Sequence, residues 1–273
     1  MPVIIISSAA FSREAEITAR TAGLLGYRIA GPEVLAAAAQ RHGVPEERLR
    51  QAINESATWR SMSAKDRRVC LAVVGATLSD CLLDGECVCH GLAAHLYVTG
   101  ISHVVKVRVA CPLDSRAARA ALQENLSDSR ARKLVRRLDT TRRRWVEELF
   151  GVDENDPANF DIVIEVERTG IEEAATLIVD VARRRRYQPM SYSLKQMRDH
   201  ALASKVRAAL VDVDPGVVVR ANDGNVRIET KVLGTEGEKT ASLRSRALAV
   251  PGSLTVEVAA IDDYFARAAM SMR

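Results

Sequence analysis

The feature that most constrains this chain is an alternation of short, β-branched apolar runs with longer stretches of helical spacing. Val3–Ile6 is apolar at every position, which fits a strand buried on both faces rather than one face exposed to water. Ser12 to Leu25 then reads as a helix, with Ser12 as N-cap and Gly26 at its end. The pattern recurs. Tyr27–Ala30, Cys87–His90, Val104–Ala110 and Asp161–Val166 are expected as strands. Helices are expected from Pro32-Glu33 onward, over Ala64–Leu83 as a long amphipathic element, after Pro112, over Asp128–Phe150 and over Gly170–Arg186. Residues 44 to 63 are polar and helical without a clean apolar stripe. Strands separated by helices cannot close hairpins, so they imply a parallel α/β sheet covered on both faces.

The pattern changes after Arg183–Arg186. Four successive arginines, Tyr187, Gln188 and Pro189 mark a boundary. The reading places one domain at 1–187, a linker at 188–193 and a second domain at 194–273. In the second, Leu194–Leu210 is expected as a helix. Val217–Arg220 and Val226–Val232 are strands joined by Asn222-Asp223-Gly224-Asn225, a strong hairpin signal. Glu236–Ala249 (helix), Leu254–Val258 (strand) and Asp262–Met270 (tail helix) complete an αββαβ order with both main helices on one sheet face.

The longest nearly apolar run, Cys70–Leu78, is too short for a membrane span, and Met1–Ile6 carries no signal-peptide features, so a cytoplasmic protein is the expectation. The net charge of +4 does not by itself argue for nucleic acid. The five cysteines contain no CxxC pair. Cys87 and Cys89 share a strand face near His90 and His95, but the spacing matches no common zinc pattern, and buried thiols are the preferred reading.

Several blocks in order resemble the cytidylate kinase-like family of P-loop kinases. They are Val3–Ile6 running into Ser7-Ser8-Ala9-Ala10-Phe11-Ser12-Arg13-Glu14, then Leu24-Leu25-Gly26-Tyr27-Arg28, then Cys87 to His95, then Val107 to Arg116. Most specific is Leu138 to Trp145 with Phe150-Gly151-Val152-Asp153 and Phe160 to Ile164. The resemblance implies a three-layer P-loop-kinase-like fold with a helical lid. The last 75 or so residues resemble a BON domain, through Lys205–Leu210, Asp223–Ile228 and Val250–Val256, with Thr230 where that family has glycine. BON domains are associated with phospholipid or other small ligands, and the resemblance implies a ligand- or partner-binding unit.

A P-loop needs glycines so that consecutive amides can face phosphates at a helix N-terminus. Here Ala10-Phe11-Ser12-Arg13-Glu14-Ala15-Glu16 stands over the family's glycine-rich loop, and no glycine occurs between Met1 and Gly23. Left-handed backbone is costly for Phe11 and Arg13, so the expectation is that main-chain amides cannot gather around a polyphosphate. Glu14 and Glu16 suit a first helical turn but would repel a triphosphate. Leu92 replaces the arginine that the family uses toward an acceptor phosphate.

The stretch Arg130–Arg144 keeps eight basic residues against one acid, Asp139. Arg142, Arg143 and Arg144 match the family's lid run, while Thr140 replaces its preceding arginine. A solvated basic face is the other reading of this helix, whose apolar stripe is Leu134, Leu138, Trp145 and Leu149. The nucleotide- or phosphate-binding candidates are Ser8, Ser12, Arg13, Arg116, Arg142, Arg143 and Arg144. Arg13 reads more readily as a surface or salt-bridging arginine, Arg116 also as a helix-surface ion pair, Asp161 as a structural strand-end acid, and Arg183–Arg186 as cations favoured at a helix end in preference to contacts for nucleic acid or an anionic membrane surface. No metal ligand and no catalytic residue is nominated.

Three functions follow. One is a pseudokinase, a nucleotide- or phosphate-responsive or partner-binding module joined to a BON unit. Another is an active (d)CMP-type kinase using ATP and Mg²⁺. The third is a nucleotide-free dimerisation platform. Nucleic acid is not an expected partner; a homo-oligomer stays open.

Overall fold

The computed structural model describes residues 1–53, 60–231 and 236–261. Five strands form one parallel sheet in the order β2-β3-β1-β4-β5: β1 (Val3–Ser8), β2 (Arg28–Ala30), β3 (Cys87–His90), β4 (Val104–Ala110) and β5 (Ile162–Glu165). The uniform apolar run of β1 has a direct cause. Ile4 and Ile6 enter the core on one side of the sheet, while Val3 and Ile5 enter the core on the other. A central strand with two dry faces has no position for a polar side chain.

Helices α1 (Glu14–Leu25) and α9 (Ile171–Ala182) cover the first face, where Ile17 and Ile178 meet Ile4 and Ile6. Helices α2 (Val34–His42), α3 (Glu46–Ile53) and α4 (Ala64–Leu82) cover the second. Helix α4 is not the amphipathic element expected. Val73, Val74, Ala76, Thr77, Leu78 and Ser79 are all buried, so consecutive residues on every side are covered. A helix apolar all round is a buried helix. The short α5 (Ala94–Tyr97) follows β3, and α6 (Leu113–Gln123) and α7 (Asp128–Phe150) form a helical hairpin. Along α7 the buried residues are Ala131, Val135, Trp145 and Val146, with Leu134, Leu138 and Leu149 only half-buried, so the stripe is rotated from its expected centre. Trp145 donates its indole N–H to the Ala52 carbonyl at 2.9 Å, which lets its polar edge be buried.

Other expectations shift. Ser12 does not cap α1; the cap position is Arg13, and no side chain caps it. Gly26 does end α1, at φ 70°. Helix α9 stops at Ala182 after the short α8 (Val166–Thr169), so Arg183–Arg186 are not on successive helical positions; Arg185–Tyr187 forms one 3₁₀ turn.

The chain continues into α10 (Ser191–Leu210), which begins before the expected Leu194. A second sheet follows, β6 (Val218–Asn222), β7 (Asn225–Lys231) and β8 (Thr255–Ile261), with α11 (Glu236–Leu248) between the last two. Strands β6 and β7 are antiparallel and β7 and β8 parallel. The hairpin turn is the one the sequence signals: Asp223 and Gly224 take φ 47° and 80°, and a Cβ on Gly224 would lie 2.7 Å from Leu254. Leu202, Val206, Leu210, Leu243 and Ala247 from the two helices meet Val226 and Ile228 on one sheet face. Met197 of α10 lies instead in the core of the first sheet, so α10 serves both cores. The expected tail helix at 262–270 lies outside the described residues.

Candidate functional site

Strands β1 and β3 are neighbours in register, Ile6 beside His90, so the loops that leave their C-terminal ends lie side by side. Crevices at this end of parallel sheets are the usual ligand positions. Among the described residues, seven non-glycine positions have positive φ, and four belong to these two loops: Phe11 at 64°, Arg13 at 61°, Leu92 at 55° and Ala93 at 52°. Left-handed backbone is costly for such side chains, and the loops adopt it all the same. The backbone takes its left-handed turns without glycine, at a cost of about 1–2 kcal/mol per residue. Burial offsets part of that cost. The Phe11 ring packs between α6 and α7 against Ala120, Ala131 and Val135.

A side chain closes the loop. The Glu14 carboxylate accepts from the Ser8 hydroxyl at 2.8 Å and from the Gly91 N–H at 2.8 Å, tying the β1 loop to the β3 loop. Two arginines of α6 hold the loop's carbonyls: Arg119 Nε donates to Phe11 O at 2.7 Å, and Arg116 reaches Ala10 O at 3.5 Å. The Ser12 hydroxyl is buried without a hydrogen-bond partner. Arg13 turns outward and pairs with Glu16 at 2.8 Å.

Beside this loop lies a buried charge cluster. Glu154, 3% exposed, faces Arg142, Arg108, the Ser7 hydroxyl and His95. Arg142 binds it with two nitrogens, the Nε at 2.5 Å. Arg108 approaches at 3.3 Å and also donates to Ser7 Oγ at 3.1 Å. Burial pushes the Glu154 carboxyl up, but the Arg142 hydrogen bonds and the two guanidinium charges outweigh it and hold it below the usual range. His95 Nε2 lies 3.5 Å from the same carboxylate, yet neither ring nitrogen makes a hydrogen bond. Burial dominates there and pushes the imidazole down to about 3, so the ring is neutral. Arg116 and Asp139 form a two-bonded pair at 2.8 and 2.7 Å, which raises the Arg116 pKa further.

These groups wall a cavity of about 290 Å³ that also includes Arg143 and Cys111. Four guanidinium groups (Arg108, Arg116, Arg142, Arg143) face two carboxylates there (Asp139, Glu154). The structure thus gathers Arg116, Arg142 and Arg143 in one cavity, places Ser8 and Ser12 in the adjoining loop, and leaves Arg13 and the exposed Arg144 outside its walls. Arg143 makes no ion pair among the described residues. Sequence reasoning missed Ser7, His95, Arg108, Arg119 and Glu154 as members of this assembly. One signal was legible: Lys106 and Arg108 interrupt a valine strand at alternate positions and so share a face.

A Mg²⁺-bound triphosphate does not fit the donor set in this arrangement. Among the described residues no lysine is bonded to the loop, and the Glu14 carboxylate holds the position between the two loops. Cys87 and Cys89 are fully buried in the sheet core, where burial raises the Cys87 thiol to about 11. Asp161 is held structurally, accepting from the Lys106 N–H at 2.9 Å and the Tyr187 hydroxyl at 3.0 Å. Arg183–Arg186 are exposed; Arg186 stacks on Tyr187 and lies 3.6 Å from Asp161. No helix among the described residues is long and apolar enough to cross a membrane.

An uncharacterized protein from Eubacterium ventriosum ATCC 27560 superposes with a TM-score of 0.51 at 13% identity, over 68% of this chain and 100% of that one, and shares the fold. Shikimate kinase from Acinetobacter baumannii, in complex with shikimate, gives 0.40 at 14% identity, over 66% and 92% of the two chains. TT1252 from Thermus thermophilus gives 0.42 at 18%, over 66% and 97%. No curated protein matches the chain. The family model described as cytidylate kinase-like matches residues 3–168, in which both loops, the α6–α7 hairpin and the Glu154 cluster all fall, and the chain belongs to that family.

Proposed function

We propose that this protein is a kinase-fold module without phosphoryl-transfer activity, responsive to a phosphate-bearing or nucleotide ligand, and joined to a C-terminal ligand- or partner-binding unit of the BON kind. The observation that carries the reading is the Glu14 bridge from Ser8 Oγ to Gly91 N. Phosphoryl transfer relies on positioned positive charge and free amide donors around the phosphates. Here a carboxylate takes one such amide, and Arg142 and Arg116 are engaged by Glu154 and Asp139. Arg143 is the uncommitted cation of the cavity and the first contact for an incoming anion. Ser8 and Ser12 follow as contacts once Glu14 moves, Arg116 once Asp139 releases it, Arg142 once Glu154 does, and Arg13 and Arg144 guard the approach. The αββαβ order after residue 193 supports the BON reading, with 1–187 as the kinase-like domain and a cytoplasmic setting.

The test is a coupled assay with ATP, Mg²⁺ and each nucleoside monophosphate in turn. We expect no turnover above background; rates of about 1–100 s⁻¹, ordinary for kinases, would overturn the proposal. Calorimetry with pyrophosphate separates sensing from scaffolding: Glu14→Ala is expected to bind it about ten-fold more tightly than the natural chain.

A second reading, an active (d)CMP-type kinase with ATP and Mg²⁺, is favoured by the left-handed backbone at Phe11 and Arg13, which keeps the turn a phosphate loop needs. It requires Glu14 to swing away on binding. Failure of ATP–Mg²⁺ to bind at millimolar concentration removes it.

A further inference from the structure

The geometry points to a second binding site, beside Lys106 of β4 and separate from the kinase cavity, for a small organic monocarboxylate with an apolar body. The cavity measures about 330 Å³ and shares no wall residue with the one beside Glu154. That volume is at the lower end of the range for small-molecule sites. Its walls divide by chemistry: Leu96, Phe150 and Val152 form an apolar side, and His95, Lys106 and Asn159 a polar side.

Two polar groups lack the partners that burial demands. His95 is 3% exposed and both ring nitrogens are without hydrogen bonds, although leaving a buried polar atom unpaired costs about 1–3 kcal/mol. The neutral ring has one N–H to donate. Lys106 is half-buried; its ammonium donates to the His95 carbonyl at 3.0 Å and keeps two further N–H groups. Among the described residues it makes no ion pair; burial lowers its pKa, against a smaller raising effect of the Asp161 carboxylate.

The ligand class follows from counting charge. The Glu154 carboxylate near His95 is already matched by Arg142 and Arg108, and Asp161 lies in the wall of the neighbouring cavity 3.6 Å from Arg186, so among the described residues the one charged side chain in this cavity's own wall is the ammonium of Lys106. One positive charge, a buried imidazole and an apolar wall suit a monoanion with a hydrocarbon body. A neighbouring cavity of about 500 Å³ shares Lys106, Ala158 and Asn159 in its wall.

The experiment uses the full chain with benzoate as probe and benzamide as its uncharged counterpart, followed by ¹H–¹⁵N NMR and calorimetry. Saturable shifts at Leu96, Lys106 and Val152 are expected with about 10 mM benzoate, with benzamide binding roughly ten- to a hundred-fold more weakly. Lys106→Met is expected to lose benzoate binding by a similar factor, and Arg143→Ala in the kinase cavity to leave it unchanged. Equal binding of acid and amide, shifts centred on Arg143, or no saturable binding overturns the inference. The acid–amide comparison needs no variant, so a misfolded Lys106→Met leaves the test intact.

Discussion

At the scale of single residues, the site stores cost in backbone and in burial. Arg13 and Phe11 both take positive φ, but only Phe11 is repaid by packing. The two are therefore expected to respond with opposite sign. Arg13→Gly should stabilise the fold by roughly 0.5 kcal/mol, because the strain it relieves exceeds the exposed Glu16 pair it loses. Phe11→Gly should destabilise it by about 2 kcal/mol through the lost ring contacts. Urea denaturation measures both. His95 makes stability depend on pH. Unfolded, it takes up a proton near its ordinary 6.5; folded, it does not until about 3. Between those values the unfolded chain binds the extra proton, so this contribution is complete above pH 6.5 and is lost as pH falls toward 3. Its slope reaches about 1.4 kcal/mol per pH unit. His42, His103 and His200 are also pushed down by burial, so the His95 share is read as the slope lost in His95→Gln.

At the scale of elements, Glu154 fastens α7 to the sheet. It lies just after that helix and binds Arg142 on it and Arg108 on β4. Neutralising it leaves two largely buried guanidinium groups without their counter-charge. Glu154→Gln is expected to cost about 3 kcal/mol, the range for breaking a buried pair from one side. The same variant removes the Glu154 charge from beside both arginines, so inorganic phosphate is expected to raise its melting temperature more than that of the natural chain. An equal shift in both proteins would remove the arginines from the anion site.

For the molecule as a whole, α10 decides how the two sheets are coupled. Met197 lies in the core of the five-stranded sheet, while Leu202, Val206 and Leu210 of the same helix lie in the core of the three-stranded one. Lys205 also pairs with Asp80 of α4 at 2.6 Å. A helix buried from two sides carries the loss of one core into the other. Calorimetry of the whole chain is expected to give a single unfolding transition. Met197→Ala, at a cost of about 2–3 kcal/mol, is expected to split or broaden it. Two well-separated transitions in the natural chain would count against the coupling.

Much of this was written in local pattern. The apolar run of Val3–Ile6, the alternation of strands and helices and the Asn222–Asn225 turn each report a constraint that acts within a few residues, so they could be read without coordinates. The kinase-like family was legible for the same reason, as ordered blocks along the chain. What needed the tertiary structure were the partners. Glu14 reaches Gly91, Arg142 reaches Glu154, and His95 is buried beside Glu154 with neither ring nitrogen hydrogen-bonded, all through an arrangement made only when distant loops converge. Sterics alone disfavoured left-handed Phe11, but burial of its ring between α6 and α7 outweighs a local penalty of a kilocalorie or two. Local propensity sets what a segment prefers; the energy gained by packing across the sheet decides whether the preference is kept.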